Sequence, residues 1–365
     1  MQDQVLNYKC PCCSASLRFD GNTGMLNCGS CGNSFKLEDM QKVSGMEQAS
    51  AEQPIEWDFS RDDAWGADEA AHLRSYSCPS CGAEIVVDDT TAATECVYCG
   101  NASIMPGAVR GDFRPDAVIP FKKSREDAEN AYRQLIKGKK LLPRAFASKK
   151  HIDKITGVYV PFWLFECDAD ADMTFHAQRT RTHSTSRERI TETDHYLVHR
   201  GGHMSFSGVP VDGSSKFDAT MMESIEPFDY SKMQEFDAAY LSGYQAERYD
   251  VDAADAQGRA NERIRNSTVE AFASTVVGYN SVVPQSANVR MNHGKVVNVM
   301  APVWMLNTKW EGKTYTFAMN GQSGKLVGDL PVDSGAAWKY RLRMFLGTFA
   351  VVVGGALVLS LLGVI

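Results

Sequence analysis

Eight of the ten cysteines fall into four Cys-x2-Cys pairs, Cys10/Cys13, Cys28/Cys31, Cys78/Cys81 and Cys96/Cys99. Fourteen residues separate the first pair from the second, and fourteen separate the third from the fourth. Two such turns at that separation suit a tetrahedral Zn2+ held by four thiolates. Gly29 and Gly32 follow cysteines, where the backbone must bend sharply around sulfur. A shift of 68 positions superimposes residues 8–33 on residues 76–101 without a gap, with 11 of 26 residues identical. The chemistry is therefore expected twice, as two structural Zn2+ ions.

Four thiolates leave no open coordination position, so neither site is expected to be catalytic. Thiolate sites also fit a reducing compartment, and the N-terminal "MQDQVLNYKC" lacks the basic-then-apolar pattern of an export signal. Cys12 aligns with Ser80 and reads as a bystander that could exchange with Cys13. Cys167 sits in an apolar run and reads as a small core residue.

Three other stretches could do chemistry. Asp168, Asp170 and Asp172 alternate behind Glu166, a row that could hold a cation or form a solvated strand face paired with Arg179, Arg181, Arg187 and Arg189. The calcium-loop reading fails, because Met173 and Arg179 stand where that loop needs Gly and Glu. His195, His199 and His203 would share a face on a helix and could then hold metal. Tyr196, Val198 and Gly201-Gly202 favour a strand and a turn instead. "NTKWEGKT" (307–314) imitates a phosphate loop but lacks its first glycine and reads as a hairpin turn, so no nucleotide partner is expected.

The elements that must position these groups divide the chain into five. Residues 1–40 and 75–107 are the two ribbons. Residues 41–74 form a linker, with eight acidic residues against Arg61 between positions 44 and 70. It reads as mobile, with its aromatic "IEWDFSRDDAW" docking on the protein itself. Residues 108–337 form an α+β body. There "VIPFKKSREDAENAYRQLIKG" gives a Ser124-capped helix, and "VYVPFWLFECDADADMTFHAQ" reads as a long strand. Pro161-x-Trp163 is echoed by Pro302-x-Trp304, which predicts a duplicated helix-plus-antiparallel-sheet unit. Residues 338–365 end the chain. Their last 22 positions carry no charge and follow "WKYRLR", the pattern of one transmembrane helix with an aromatic and basic flank. Basic residues before the span would place the bulk of the chain in the cytoplasm, on a single-pass, tail-anchored protein of the cell membrane.

Charge weighs on the choice of partner. The chain has a formal net charge of −7 and a pI near 5.7, and the second ribbon contains no Lys or Arg. A nucleic-acid reader needs a basic footprint, so nucleic acid is disfavoured. Residues 137–154 carry seven Lys or Arg against Asp153, a patch that attracts phosphate or anionic lipid.

The paired Cys-Pro-x-Cys motifs, "TTAATECVYCGN", "GKKLLPRAF", "GVYVPFWLF", "VPVDGSSK", "SIEPFDYS" and "TYTFAMNGQSGKLVGDLPVD" together resemble a bacterial family of TFIIB-type zinc-ribbon proteins with a C-terminal membrane segment. Its members are often labelled primosomal replication helicase-like. Helicase activity does not carry over, because the phosphate loop such a motor needs is missing. The resemblance implies association with membrane-stress or flotillin-like assemblies.

The sequence thus predicts an α+β protein with two small N-terminal zinc ribbons, a duplicated helix-plus-antiparallel-sheet body and one C-terminal transmembrane helix. Its expected function is that of a non-enzymatic adaptor that recruits a cytoplasmic or membrane protein to the lipid bilayer. A nucleic-acid-binding accessory factor is the alternative.

Overall fold

The computed structural model describes the chain except residues 1–7, 9, 11–16, 22, 30–31, 38–39, 41–54, 61–63, 92–94, 102–103, 109–113, 185–187, 217–218 and 362–365, and describes side chains as far as residue 356. The strands are β1 (Leu17–Asp20), β2 (Met25–Cys28), β3 (Ser34–Lys36), β4 (Trp57–Asp58), β5 (Leu73–Ser77), β6 (Glu84–Asp88), β7 (Met105–Ala108), β8 (Ala117–Val118), β9 (Thr156–Ser184), β10 (Arg189–Asp212), β11 (Gln234–Glu235), β12 (Gln245–Glu247), β13 (Ser281–Trp310), β14 (Lys313–Asn320) and β15 (Leu326–Gly328). The helices are α1 (Ala67–Ala71), α2 (Arg125–Ile136), α3 (Lys149–Ile152), α4 (Ala219–Ile225), α5 (Ala253–Ser274) and α6 (Ser334–Leu361).

The predicted fold class is corrected in two respects. Twelve strands join one mixed sheet rather than an antiparallel one, and sheet dominates over helix among the described residues. The parallel pairs are the reason: β12 runs parallel to β9, and β8 runs parallel to β13.

The second correction concerns the C-terminus. Among the described residues no helix is long and apolar enough to cross a membrane. This overturns the expected transmembrane helix, and with it the single-pass, tail-anchored placement in the cell membrane. Helix α6 starts at Ser334 and carries Lys339, Arg341 and Arg343 in its first turns. Its side chains are described as far as residue 356. The remainder of the predicted span, residues 357–365, lies outside the described side chains.

The chain forms two compact units. One comprises residues 61–162, 212–252 and 298–365. A short strand, a helix, a long strand and that strand's partner follow each other twice along the chain, across both units, as β8-α2-β9-β10 and β12-α5-β13-β14. The registers match. Gln245 lies opposite Val158 and Ala246 opposite Tyr159, while Ala117 lies opposite Val299 and Val118 opposite Met300. Each short strand thus pairs with the long strand of the other repeat. Gly213 N–H donates to Pro161 O across 2.8 Å, and Gly321 N–H donates to Pro302 O across 2.7 Å. Those two glycine carbonyls in turn accept from the chain just before each helix, from Asp250 and Val251 and from Lys122 and Lys123.

Helix α2 forms because Ser124 and Asp127 cap each other's backbone, and it buries Ala128 and Tyr132 four residues apart. They pack with Ile155, Trp304, Leu306, Phe317 and Met319. At the β13–β14 hairpin, Trp310 pairs with Lys313 around Glu311-Gly312. Both turn residues have positive φ, 49° and 79°, so "NTKWEGKT" is a tight hairpin.

The other unit comprises residues 1–60, 163–211 and 253–297. Strands β1, β2 and β3 form a three-stranded sheet of their own over Cys10, Leu17, Leu26, Cys28 and Met40. From residue 166 onward β9 alternates, burying Cys167, Ala169, Ala171, Met173, Phe175 and Ala177. Ala169 through Ala177 pack with Val269 and Phe272 of α5, the helix that buries Ala253, Ala256, Ala260, Ile264 and Thr268 at helical spacing. The linker docks where it is described. Trp57 packs edge-on against Phe165 at 4.8 Å and donates to Asn261, and β4 pairs with β13. In the first unit Trp65 packs against Phe236.

Candidate metal centre

Strand β5 leads directly into the turn bearing Cys78 and Cys81, and the turn bearing Cys96 and Cys99 follows β6. In the first turn Cys78 N–H donates to Ala83 O and Gly82 N–H to Cys78 O. In the second Cys96 N–H donates to Asn101 O and Gly100 N–H to Cys96 O. Gly82 and Gly100 take φ of +70° and +65°, a region where a side chain would be strained, which explains a glycine one residue past the second sulfur.

These paired turns bring four sulfurs together. Cys78 Sγ lies 3.6 Å from Cys99 Sγ, and Cys81 Sγ lies 3.6 Å from Cys96 Sγ. All four fall within 4.8 Å of one another, a cluster that can hold one metal ion. Tetrahedral bonds of ~2.3 Å require sulfurs about 3.8 Å apart, so the cluster fits a thiolate-bound ion with little adjustment. Burial pushes the Cys81 and Cys96 thiols up. It acts upward on Cys78 too, but there N–H donors from Cys81 and Ser80 prevail and bring the thiol down to about 7. A bound cation would ionise all four. The sulfurs sit on a small core of Ala83, Ile85, Val87 and Tyr98.

The centre is joined to the body by a buried carboxyl. Glu247 on β12 lies beside the Tyr98 hydroxyl and accepts from Ser214 across 2.7 Å. Next to it Lys216 pairs with Asp250 at 2.7 Å. Nothing in the motif spacing marked Glu247.

In the first ribbon Cys13 and Cys31 lie outside the described residues, as does Cys12. Cys10 and Cys28 are both buried in one core. Cys28 N–H donates to Asn33 O and Gly32 N–H to Cys28 O, with Gly32 at φ +75°, repeating the hydrogen bonds of the second ribbon. Cys167 is buried on β9 and its thiol is pushed up to about 11 by burial.

Among the described residues the Asp row does not pair with arginines, and Arg187 lies outside them. Asp172 meets His199 at 2.7 Å, Asp170 meets His203 at 3.1 Å, and Asp168 accepts from Ser205 at 2.7 Å. As the β9 number rises the β10 number falls, so the strands are antiparallel and the polar residues share one face. His195 instead meets His176 at 3.0 Å. Strand β13 adds Asn292 against Asp170 and His293 against Asp168. Sequence reasoning missed both; His293 sits in "NHG" at φ 55°, a turn-like signal inside a strand. Among the described residues only the four cysteines form a group close enough to hold a metal, so this face is a hydrogen-bonded ladder.

No protein-family model matches the chain, and no solved structure matches it. A curated relative does: Uncharacterized protein YdjG of Bacillus subtilis (strain 168) is 34% identical over 336 residues, spanning 92% of this chain and 93% of the relative. The chain belongs to the YdjG family.

Proposed function

We propose that the protein is a non-enzymatic, zinc-stapled adaptor whose first ribbon recruits a protein partner. Zinc is the ion that the closed four-thiolate set favours, and Cys10, Cys13, Cys28 and Cys31 would hold a second one. The observation that carries this reading is a division of labour between the ribbons. The second ribbon is built into the large sheet, because β6 pairs with β12. The strands of the first ribbon pair only with one another among the described residues, and Phe19 on β1 is 56% exposed. A ribbon that does not extend the body's sheet, yet presents an aromatic ring, fits contact with another protein.

One pocket bears on the non-enzymatic reading. A cavity of about 330 Å³ is lined by Trp65, Ser75, Ser77, Glu84 and Arg248 among others, but by no histidine, and Glu84 is held by Arg248 at 2.7 Å. The lining offers neither serine a histidine base.

Co-purification with the intact chain and with a Cys10→Ser/Cys28→Ser variant tests the proposal. Loss of specific protein partners with retention of one zinc ion supports it. Identical partner sets sink it, and salt-sensitive capture of nucleic acid by the first ribbon would favour the nucleic-acid alternative.

A further inference from the structure

The cavity of about 330 Å³ lies wholly within the unit of residues 61–162, 212–252 and 298–365, and its floor is two cross-strand rows of the sheet. In the first row Ser75 lies opposite Val86 on one side and Gly107 on the other, and Val86 lies opposite Ala246. In the second row Ser77 lies opposite Glu84, and Arg248 N–H donates to Glu84 O across 3.2 Å. Residues two apart on a strand share a face, so the rows lie side by side. The first row is largely apolar and the second is polar and charged.

The walls keep that division. Phe236, Leu241 and Met300 pack with Val86 and Ala246, and Trp65 stands edge-on to Phe236 at 5.8 Å. Those three wall residues are buried, whereas the Glu84 and Arg248 side chains are 42% and 31% exposed. Solvent therefore reaches the charged end and not the apolar one. The Ser75 and Ser77 hydroxyls line the cavity and have no partner among the described residues. Gly107 keeps the space open. Its φ is not positive, so no turn demands a glycine, and a Cβ there would meet only Ser75 O at 3.9 Å.

An acid and a base held together at one end of an apolar cavity select a ligand by its charges. A carboxylate alone would be drawn to Arg248 and repelled by Glu84, and an amine alone the reverse. A head group with both charges on one carbon matches a pair whose atoms lie 2.7 Å apart, while the two ends of a peptide are too widely separated. The volume falls at the lower end of small-molecule sites, roughly 300–1,000 Å³. We infer that this cavity binds a free α-amino acid with a large apolar side chain. Its ammonium group meets Glu84, its carboxylate meets Arg248, and its side chain lies among Trp65, Phe236, Leu241 and Met300. The site calls for no catalysis, and it stands whether or not the first ribbon recruits a partner.

Isothermal titration calorimetry of the full-length, metal-loaded protein tests the inference with L-phenylalanine and L-leucine. Phenylpropionate, phenethylamine and glycine serve as controls. Both amino acids should bind. Each phenyl analogue lacks one charge and should bind at least about tenfold more weakly, and glycine, with no apolar group, should give no measurable binding. Glu84→Gln should erase the preference for L-phenylalanine over phenylpropionate. Gly107→Leu should fill the cavity and abolish binding, with unchanged circular dichroism and metal content showing that both variants fold. Failure of both amino acids to bind at millimolar concentration overturns the inference. So does equal binding of either phenyl analogue to the wild type, a comparison that needs no variant. Binding that survives in folded Gly107→Leu overturns it too, because the ligand would then lie elsewhere.

Discussion

Ser214 donates its hydroxyl to Glu247 across 2.7 Å, and the carboxyl that receives it is buried. Burial raises the Glu247 pKa to about 8, against the hydrogen bonds of Ser214 and Tyr98, which act downward. Matching the registers of the two repeats places Glu247 where the other repeat has Ile119, fully buried and apolar. The sheet itself therefore does not need a charge there. The carboxyl belongs to the junction with the metal-bearing turn, through Tyr98.

Its titration sets a pH dependence of known sign. Below the unfolded pKa of about 4.5, both states hold the proton and stability is full. As pH rises towards 8 the unfolded chain ionises while the folded one still holds its proton, so stability falls, and it levels off above the folded pKa. At ~1.4 kcal/mol per unit the loss amounts to a few kcal/mol. Urea midpoints measured from about pH 5 to about pH 8 should decline in the wild type and flatten in Glu247→Gln. Parallel declines in both proteins would contradict the assignment.

Chelation should reach beyond the ribbon. Because β6 pairs with β12, release of the ion held by Cys78, Cys81, Cys96 and Cys99 frees an edge of the body's sheet as well as its own turns. Cys96→Ser is expected to remove one ion per chain and to destabilise the protein on the order of several kcal/mol. Metal analysis checks the first, and faster amide exchange at Gln245–Glu247 checks the second. Protection of β12 that survives metal loss would show the ribbon to be a mere appendage.

The cysteine spacing made the centre legible because four ligands and two left-handed glycines leave one way to close each turn. Strand β9 was legible as well: an unbroken apolar run gives way to alternation where one face becomes polar. The parallel pairing was not, since Ala117–Val118 and Gln245–Glu247 are too short to show any period. The ladder eluded sequence for another reason. Asp168 and His293 are 125 residues apart, and only the sheet brings their strands together. The C-terminal apolar run was over-read as a span: among the described residues no helix is long and apolar enough to cross a membrane.

The ladder on β9, β10 and β13 should prove nearly silent. Asp172 and His199 are each about half exposed, 44% and 51%, so solvent screens the pair despite its 2.7 Å distance. Asp172→Ala or His199→Ala is expected to change stability by no more than about 1 kcal/mol. Metal content should stay as in the wild type. A variant that lost an ion would make the ladder a ligand set after all.

The docked linker offers the sharpest packing test. Trp57 is buried, with its ring edge-on to Phe165 and its indole N–H on Asn261 at 3.1 Å. Gly294 pairs with it across β4 and β13, and a Cβ built at Gly294 would come within 2.6 Å of the indole ring. Trp57→Ala should cost about 3 kcal/mol or more and expose the preceding segment to protease. Gly294→Ala should do similar damage with the tryptophan intact, because its methyl group claims the space of the ring. The double variant must then be less than additive: once the indole is gone, the new methyl meets an empty site. Full additivity in urea denaturation would mean that Trp57 and Gly294 do not share this contact.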